Sequence, residues 1–487
     1  MGSITSTMIL AILPEILLLV LAMLVLILDL VVKPEWRRNL AWVTASGILI
    51  IMGVSVAIAR PPMQADYLWG GMVRWDWAGF VFGQLVMFGA AMTALFGMDV
   101  DGLGDRGEFY ILLLASTIGM TFLASSADLI MVYLSLETVA IPLYVLAGFL
   151  LLSDRSVEAG FKYLVFGAMS SAFMLYGFTL LYGFTGTTNL YEIVSSEYMQ
   201  SIASDTVSKW PLIGILVLIL VGFSFKVSAV PMHFWAPDVY EGAPTPIAGF
   251  LSTASKAVGF LILMRVFLIA FPVISQQWGA LLAAISVATM TLGNMLALAQ
   301  KNIKRMLAYS SIAHAGYALI GVATLTGLGL IATVYYLIGY LASNLAAFGA
   351  VSAYSKIVGS DEIKDFSGMS RRSPGLALIM LVAFLSLSGM PPFAGFIGKF
   401  LVFAAAVQAQ LIWLAVVGVL NSIIGLYYYL VVLKVVYLYR SDEDEKPARM
   451  SAPVMFSLVI LVVGIIVIGT FISPWFNWSY LAAAGLF

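Results

Sequence analysis

The sequence contains no cysteine and only two histidines, His233 and His314. Without cysteine the chain can form no disulfide, no thiolate metal site and no iron–sulfur ligation. Two histidines also argue against a haem or a multi-histidine metal site. We therefore expect this chain to hold no metal, no cofactor and no redox centre of its own.

Charge is also scarce. Only 10% of the 487 residues are charged and 62% are hydrophobic, whereas a soluble domain has about 25% charged residues. The net charge of −1 offers no basic surface for a nucleic acid. Residues 1–7 lack the basic region and the cleavage site of a signal peptide, so we expect the first apolar run to be retained. This composition predicts an all-α polytopic membrane protein that forms a single membrane domain.

Fourteen apolar runs are long enough to cross a membrane, which takes about 17–25 residues of helix. They cover residues 7–32, 40–59, 77–98, 109–125, 128–152, 158–184, 211–236, 245–271, 277–299, 303–324, 329–355, 374–408, 411–438 and 452–472. The twelfth is overlong and contains Gly389-Met-Pro391-Pro392, which favours a discontinuous helix.

The positive charges are distributed unevenly over the loops. If the N-terminus lies outside, fifteen of the 24 Lys and Arg residues fall in cytoplasmic loops or, for Lys304 and Arg305, in the first turn of a run on that side. Three fall in outward loops, and six lie deeper within the runs. Because cytoplasmic loops carry the excess of Lys and Arg, this distribution predicts an N-terminus on the outer side of the membrane. We expect the outward loop 186–209 to be solvated, with room for a short surface helix, and the charge run 441–446 to be solvated too.

The seventh and twelfth runs carry similar interruptions. Lys226 lies beside Pro231 in the seventh, and Lys399 follows Pro391 and Pro392 in the twelfth. Paired broken helices in two halves of a chain are typical of inverted-repeat transporters. We therefore expect three N-terminal helices in 1–105, inverted five-helix repeats in 106–272 and 273–440, and a C-terminal helix in 441–487. Only the placement of the breaks supports this, because the halves share no evident residue identity.

Ionisable residues lie near the middle of several runs. They are Glu137, Lys226, Lys256, His314 and, about two turns from the middle of its run, Lys399. Each charge at the bilayer centre costs on the order of 3 kcal/mol, so these groups are expected to face one another or water. Lysine desolvation, a nearby carboxylate and a histidine together suit proton transfer. Nothing in the set resembles an oxygen-lined calcium site.

Structural explanations stand beside this one. Glu137 can be a fixed counter-ion, and His314 can be a packed histidine bonded to a hydroxyl. Lys162 lies one turn after Glu158, so an ordinary i,i+4 ion pair accounts for it. His233 lies near the cytoplasmic end of its run, where a structural role is equally open. Two further cations can snorkel or pair structurally, namely Arg265 and Lys434.

Six segments carry a resemblance to a known family. They are LETVAIPLY at 136–144, EAGFKY at 158–163, FKVSAVPMHFWAPDVYEGAP at 225–244, STASK at 252–256, QKNIKRMLAYSSIAH at 300–314 and GFIGKF at 395–400. Over about residues 108–440 the chain resembles the antiporter-like subunits of respiratory complex I, the bacterial proton-pumping NADH:quinone oxidoreductase. Within that group it resembles the subunit N family, because the twelfth span ends in lysine, where subunit M has glutamate. It also lacks the long lateral helix of subunit L.

The resemblance implies a role for each candidate residue. Glu137 and Lys226 would form a controlling ion pair, and Lys162, Lys256 and His314 would relay protons along a hydrated axis. Lys399 would end the second half-channel. Within the same motif, two residues are auxiliary candidates, His233 and Asp238.

The resemblance also implies the surroundings of the chain. Its partners would be other membrane-arm subunits, including further antiporter-like ones, and NADH, FMN, iron–sulfur clusters and quinone would be used by other subunits. Two alternatives remain open at this point. One is a subunit of a multi-subunit sodium/proton antiporter, and the other is a scaffold subunit whose charges are only structural ion pairs.

Overall fold

A computed structural model describes residues 5–440 and 450–487. The predicted charge run at 441–446 lies outside the described residues. Thirteen spans in the described chain are long and apolar enough to cross a membrane, and the twelfth predicted run forms two shorter helices. The prediction of fourteen spans with a discontinuous twelfth is therefore confirmed.

The first half of the chain contains thirteen α-helices. They are α1 (Ser6–Ala11), α2 (Leu13–Val31), α3 (Leu40–Ile58), α4 (Trp77–Gly97), α5 (Gly107–Ser125), α6 (Leu129–Ala147), α7 (Asp154–Thr185), α8 (Leu190–Ile193), α9 (Glu197–Ala203), α10 (Trp210–Val227), α11 (Trp235–Gly242), α12 (Thr245–Ser252) and α13 (Ala254–Ala270). The short helices α8 and α9 lie in the loop 186–209, as predicted.

The second half contains nine more α-helices within its described residues. They are α14 (Ser275–Leu298), α15 (Ile303–Ala323), α16 (Gly327–Val358), α17 (Met369–Arg372), α18 (Pro374–Ser388), α19 (Ala394–Gln408), α20 (Ile412–Leu438), α21 (Ala452–Thr470) and α22 (Ile472–Ala484). In the described parts of the chain, three short 3-10 helices cover Pro34–Asn39, Pro272–Ile274 and Ile363–Phe366.

Both predicted breaks are present. Helix α10 ends at Val227, and Ser228 adopts a left-handed conformation with φ 58° before the chain re-enters helix at α11. Helix α18 ends at Ser388, Gly389 follows it in a left-handed conformation with φ 89°, and α19 begins at Ala394. Proline cannot donate a backbone hydrogen bond, so Pro231, Pro391 and Pro392 prevent the helices from continuing through these segments.

Three features were not predicted. A third break separates α12 from α13 at Thr253, inside the run 245–271. A two-stranded antiparallel hairpin, β1 (Asp66–Leu68) and β2 (Val73–Trp75), lies between α3 and α4. Beyond the last span, α22 packs against α4 and α16.

The interior of the molecule surrounds α15 and α16. These two spans are the most buried, and α16 contacts α15, α18, α19, α21 and α22. The outer helices α2, α3, α7 and α20 instead expose large apolar side chains, as expected where lipid is the solvent. Polar side chains on α15 and α16 are therefore held inside protein.

Candidate functional site

Glu137 and Lys226 face a small shared cavity. It has a volume of about 30 Å³, lies between α6, α7 and α10, and is also lined by Ser171. The Ser171 hydroxyl donates a hydrogen bond to the Glu137 carboxylate. No ion pair within 4 Å joins Glu137 and Lys226 in this structure, both of which belong to the described residues. The cavity is large enough for one water molecule, which could lie between the two charges.

Lys226 is buried at the end of α10, and α13 packs on its stem. A Cβ on Gly259 of α13 would lie 3.0 Å from Lys226 Cγ, so only glycine allows this close approach without displacing the lysine. Lys256 lies one turn before Gly259 on the same helix. The lack of a side chain at Gly259 thus brings the first and second buried lysines onto one helix interface.

Lys256 reaches α15 and α16 through hydroxyl groups. Its Nζ atom donates to Ser311 Oγ at 2.7 Å and to the Ser311 carbonyl oxygen at 3.0 Å. Tyr340 also donates to Ser311 Oγ, at 2.8 Å, and accepts from Asn344 Nδ2 at 3.0 Å. Asn344 in turn donates to Ser252 at the Thr253 break, 2.7 Å away. The unpredicted break therefore borders the Lys256 site.

His314 lies among three tyrosines. Its Nδ1 atom is 2.6 Å from the Tyr336 hydroxyl, and its Nε2 atom is 3.4 Å from the Tyr429 hydroxyl. Its ring stacks on Tyr340 with centroids 5.0 Å apart. Because a neutral imidazole has one donor and one acceptor nitrogen, and each hydroxyl can do both, protons can pass through these contacts in either direction.

Lys399 lies at the break between α18 and α19. Its Nζ atom donates to the Ser388 carbonyl oxygen at 3.0 Å and to Ser422 Oγ at 2.8 Å. The same ammonium lies 4.8 Å from the centre of the Tyr317 ring, which packs edge-on against His314 at 5.7 Å. A cation over an aromatic face is stabilised by the ring quadrupole.

These contacts bring together all five predicted mid-membrane residues. We call them the central row, defined as Glu137, Lys226, Lys256, His314 and Lys399. The row extends from the cavity of Glu137, through α10 and α13, to α15 and finally to the break of the twelfth span. The lysines and His314 are each at most 6% exposed. An unpaired charge in such surroundings is expensive, and the hydroxyl and carbonyl ligands reduce that cost.

Lys162 lies in a different group of charges. It forms the predicted i,i+4 pair with Glu158, at 2.7 Å, and a second ion pair with Asp238 on α11, at 2.6 Å. Asp238 also binds Arg305 on α15 at 2.7 Å. About a third of the Lys162 side chain is exposed. No described contact joins this group directly to the central row.

His233 follows the break after α10. It is buried, its ring packs on Phe234 with centroids 4.4 Å apart, and its Nδ1 atom has no hydrogen-bond partner among the described residues. The structure does not place it in contact with the central row.

Arg265 is a buried cation in a structural ion pair. Structural pairing was one of the two explanations considered from the sequence, and snorkelling was the other. Its guanidinium binds both carboxylate oxygens of Asp76, at 3.0 and 2.8 Å, and donates to the Ser126 carbonyl oxygen. Asp76 also caps α4 by accepting from the Gly79 amide at 2.7 Å. Lys434, by contrast, is exposed and lies near the Tyr439 ring.

Sequence reasoning missed the hydroxyl residues that join the row. A signal for them is present in the sequence: Ser310, Ser311, His314 and Tyr317 recur at helical spacing on α15, and Tyr336 and Tyr340 are four residues apart on α16. Such spacing puts polar groups on one helix face. In the described parts of the chain, no cluster of three or more His, Asp or Glu residues suits a metal ion.

Broken helices around a buried row of charges define an antiporter-like membrane subunit. The family model described as "NADH:quinone oxidoreductase/Mrp antiporter, TM" matches residues 126–425. The chain is 43% identical to NADH-quinone oxidoreductase subunit N of Moorella thermoacetica, over 97% of this chain and 98% of that protein. This chain therefore belongs to the NADH-quinone oxidoreductase subunit N family.

Two solved structures agree with this assignment. A chain of respiratory complex I from Thermus thermophilus with bound Aureothin matches with a TM-score of 0.80 and 32% identity, over 97% of this chain and all of that one. A chain of the Mrp complex from Dietzia sp. matches with a TM-score of 0.85 over 99% of this chain and 98% of that one, but with 20% identity. The second likeness shows a shared fold only.

Proposed function

We propose that this chain is a membrane-arm subunit of respiratory complex I that translocates protons while other subunits pass electrons from NADH to quinone. The observation that carries this proposal is the unbroken series of contacts from Lys256 through Ser311, Tyr340, His314 and Tyr317 to Lys399. A scaffold needs ion pairs, whereas this series joins cations through neutral groups. Hydrogen bonds link Lys256, Ser311 and Tyr340. Ring contacts, which carry no proton themselves, then hold His314 and Tyr317 between Tyr340 and Lys399, so proton transfer over this part requires water beside the rings.

The central row supplies the steps. Glu137 and Lys226 act as the switch, since moving a charge towards or away from a buried lysine changes how tightly it holds its proton. Lys256 and His314 relay the proton, and Lys399 is the terminal group. Lys162 has the relay function that the resemblance gives it, and it performs this function while paired with Asp238. Asp238 and His233 are auxiliary residues.

The proposal includes the surroundings of the chain. The 15 to 3 distribution of loop cations supports an N-terminus on the outer side of the bacterial inner membrane. The matching breaks support inverted repeats at 106–272 and 273–440. FMN, iron–sulfur clusters and quinone are placed in other subunits of the assembly, and further antiporter-like subunits are its neighbours in the membrane arm.

The test compares three alanine variants in inverted membrane vesicles. Lys226→Ala and Glu137→Ala should leave the complex assembled but strongly reduce NADH-driven proton uptake and the coupled quinone reduction. Lys434→Ala removes an exposed lysine of α20 that lies near the Tyr439 ring and outside the central row, and it should behave like the wild type.

Two results would contradict the proposal. Full coupled activity in both row variants would exclude the switch, and loss of assembly without any specific loss of coupling would favour a scaffold. Purification of the wild-type chain in mild detergent adds a separate check, because a sodium/proton antiporter would contain no flavin or iron–sulfur subunits.

A further inference from the structure

Glu15 is a buried acid outside the central row. It lies in the first turn of α2, is 7% exposed, and its Oε2 atom has no hydrogen-bond partner among the described residues. A carboxylate in an apolar interior needs a cation or several donors to remain charged. Glu15 lies within 4 Å of no cation in the described chain.

Glu15 faces a polar cavity. This cavity of about 40 Å³ lies where α2 and α4 begin and where α3 and α5 end, and Ser55, Gln84 and Thr121 line it. Gln84 donates to Ser55 at 3.0 Å, and Thr121 donates to the Ile118 carbonyl oxygen at 2.9 Å. The volume is sufficient for a water molecule with polar partners on several sides.

The charged groups that border this cavity already have partners. Arg74 donates to the Leu486 and Phe487 carbonyl oxygens, at 2.8 and 2.6 Å, and to Tyr191. It also lies 3.5 Å from Asp76, which Arg265 binds through both oxygens. No charged side chain of the adjoining α3, α4 or α5 lines the cavity. The arginines are therefore occupied by Asp76 and by carbonyl groups.

Asp29 provides an internal comparison. It lies on the same helix, is buried to the same extent at 8% exposed, and pairs with Arg37 at 3.3 Å. Two acids on α2 thus differ in the presence of a cation. Because the two acids are equally buried, a difference in their protonation would have to come from the cation and not from burial.

We propose that Glu15 is a proton-binding site, held as the neutral acid beside water in the cavity at the end of the membrane where α2 begins. It is separate from the central row and does not depend on the proposed function, because a carboxyl group can hold a proton there whether or not the row pumps. Its ligand is a proton, supplied by water in the cavity.

Infrared difference spectroscopy of the purified complex tests this at neutral pH. The wild-type minus Glu15→Gln spectrum should contain a carboxylic acid C=O band that shifts in D2O and gives way to carboxylate bands at alkaline pH. The wild-type minus Asp29→Asn spectrum should contain carboxylate bands only.

Other outcomes overturn the proposal. Carboxylate bands alone at neutral pH in the Glu15→Gln difference would mean that the nearby arginines keep the acid ionised. If NaCl converts the acid band to carboxylate bands and choline chloride, the control salt, does not, then Glu15 is a cation site instead. Glutamine has the shape of the neutral acid, so assembly of Glu15→Asp but not of Glu15→Gln would also count against a proton at Glu15.

Discussion

Between Lys256 and Lys399 the side chains in contact are hydroxyls, aromatic rings and one imidazole. Serine and tyrosine hydroxyls are neutral, so they add none of the desolvation cost that another charge would bring. Each can nevertheless donate and accept at the same oxygen. The residues that hold charge and the residues that connect them are thus chemically distinct, and the connecting residues can be changed without adding or removing a charge.

Tyr340→Phe changes a connecting residue without changing any residue that holds charge. The variant removes the hydroxyl that donates to Ser311 but keeps the ring that stacks on His314. We expect severalfold less proton uptake for each NADH oxidised, with normal assembly, because the hydrogen bond from Tyr340 to Ser311, the residue that binds Lys256, is lost. Proton uptake by inverted vesicles, divided by NADH oxidation, measures this.

Tyr335→Phe is the matched control. Tyr335 precedes Tyr336 on α16, but its hydroxyl donates to the Ile468 carbonyl oxygen at 2.6 Å, away from the row. Its loss should reduce stability by about 1 kcal/mol and leave the proton-to-electron ratio unchanged. An unchanged ratio in Tyr340→Phe would remove the hydroxyl from the proposed path.

At the level of elements, two lysines of the row lie at helix ends. Lys226 is in the last turn of α10, and Lys399 donates to the Ser388 carbonyl oxygen at the end of α18. The last carbonyl groups of a helix have no partner within it and carry partial negative charge. The break after α18 therefore provides a carbonyl ligand for the Lys399 ammonium that an intact helix would not offer.

Gly389→Ala tests the second break. Gly389 has φ 89°, and a Cβ there would lie 2.9 Å from Lys399 Cδ. The left-handed backbone costs alanine about 1–2 kcal/mol, and the contact additionally displaces Lys399. We expect both lower stability and lower coupled activity, measured as thermal inactivation and as proton uptake for each NADH oxidised.

Gly359→Ala isolates the backbone effect. Gly359 ends α16 with φ 70°, and its Cβ would meet nothing within 4 Å. This variant should lose stability to a similar degree but keep its coupling. Equal coupling in both variants would show that the position of Lys399 is not sensitive to this contact.

The breaks show how far a sequence can predict elements. Those at Pro231 and at Pro391 were predictable because a proline in a helix interior removes a backbone hydrogen bond and kinks or breaks the helix. The break at Thr253 was not, because STASK at 252–256 contains neither proline nor glycine and its conformation depends on tertiary contacts such as Asn344 with Ser252. The packing of α22 on α4 could not be predicted either, because no local sequence pattern indicates it.

At the scale of the whole molecule, Asp238 links distant parts of the chain. It accepts from Lys162 on α7 and from Arg305 on α15, which lie on opposite sides of the predicted repeat boundary. Each pair is partly exposed, so the individual contributions are small. Together they fix α11 between the two halves.

Asp238→Asn should therefore weaken the contact between the halves. It removes one carboxylate partner from both Lys162 and Arg305, which keep Glu158 and Glu241 respectively. Lys162→Ala instead keeps the Asp238–Arg305 pair. We expect a loss on the order of 1 kcal/mol in the first variant and less in the second. The fraction of chain in the assembled complex after mild heating, read from native gels, compares them. A larger loss in Lys162→Ala would contradict this ranking.

The members of the central row could be predicted from the sequence, but the contacts that join them could not. Charged residues in apolar runs stand out because of their cost, so Glu137, Lys226, Lys256 and Lys399 were found from sequence alone. Tyrosine is common in membrane helices for other reasons, and its role depends on which neighbour its hydroxyl meets. That information exists only once α15, α16 and α20 are packed together.

In the hydrogen bond between Tyr340 and Ser311, the tyrosine is the donor. Ser311 Oγ accepts from both Lys256 and Tyr340, and the Tyr340 oxygen is already occupied by the Asn344 amide. A proton cannot step from Ser311 to Tyr340 until the tyrosine O–H rotates away and its oxygen is free to receive. In the proposed path, the Tyr340 hydroxyl would therefore rotate away from Ser311 and return once for each proton transferred.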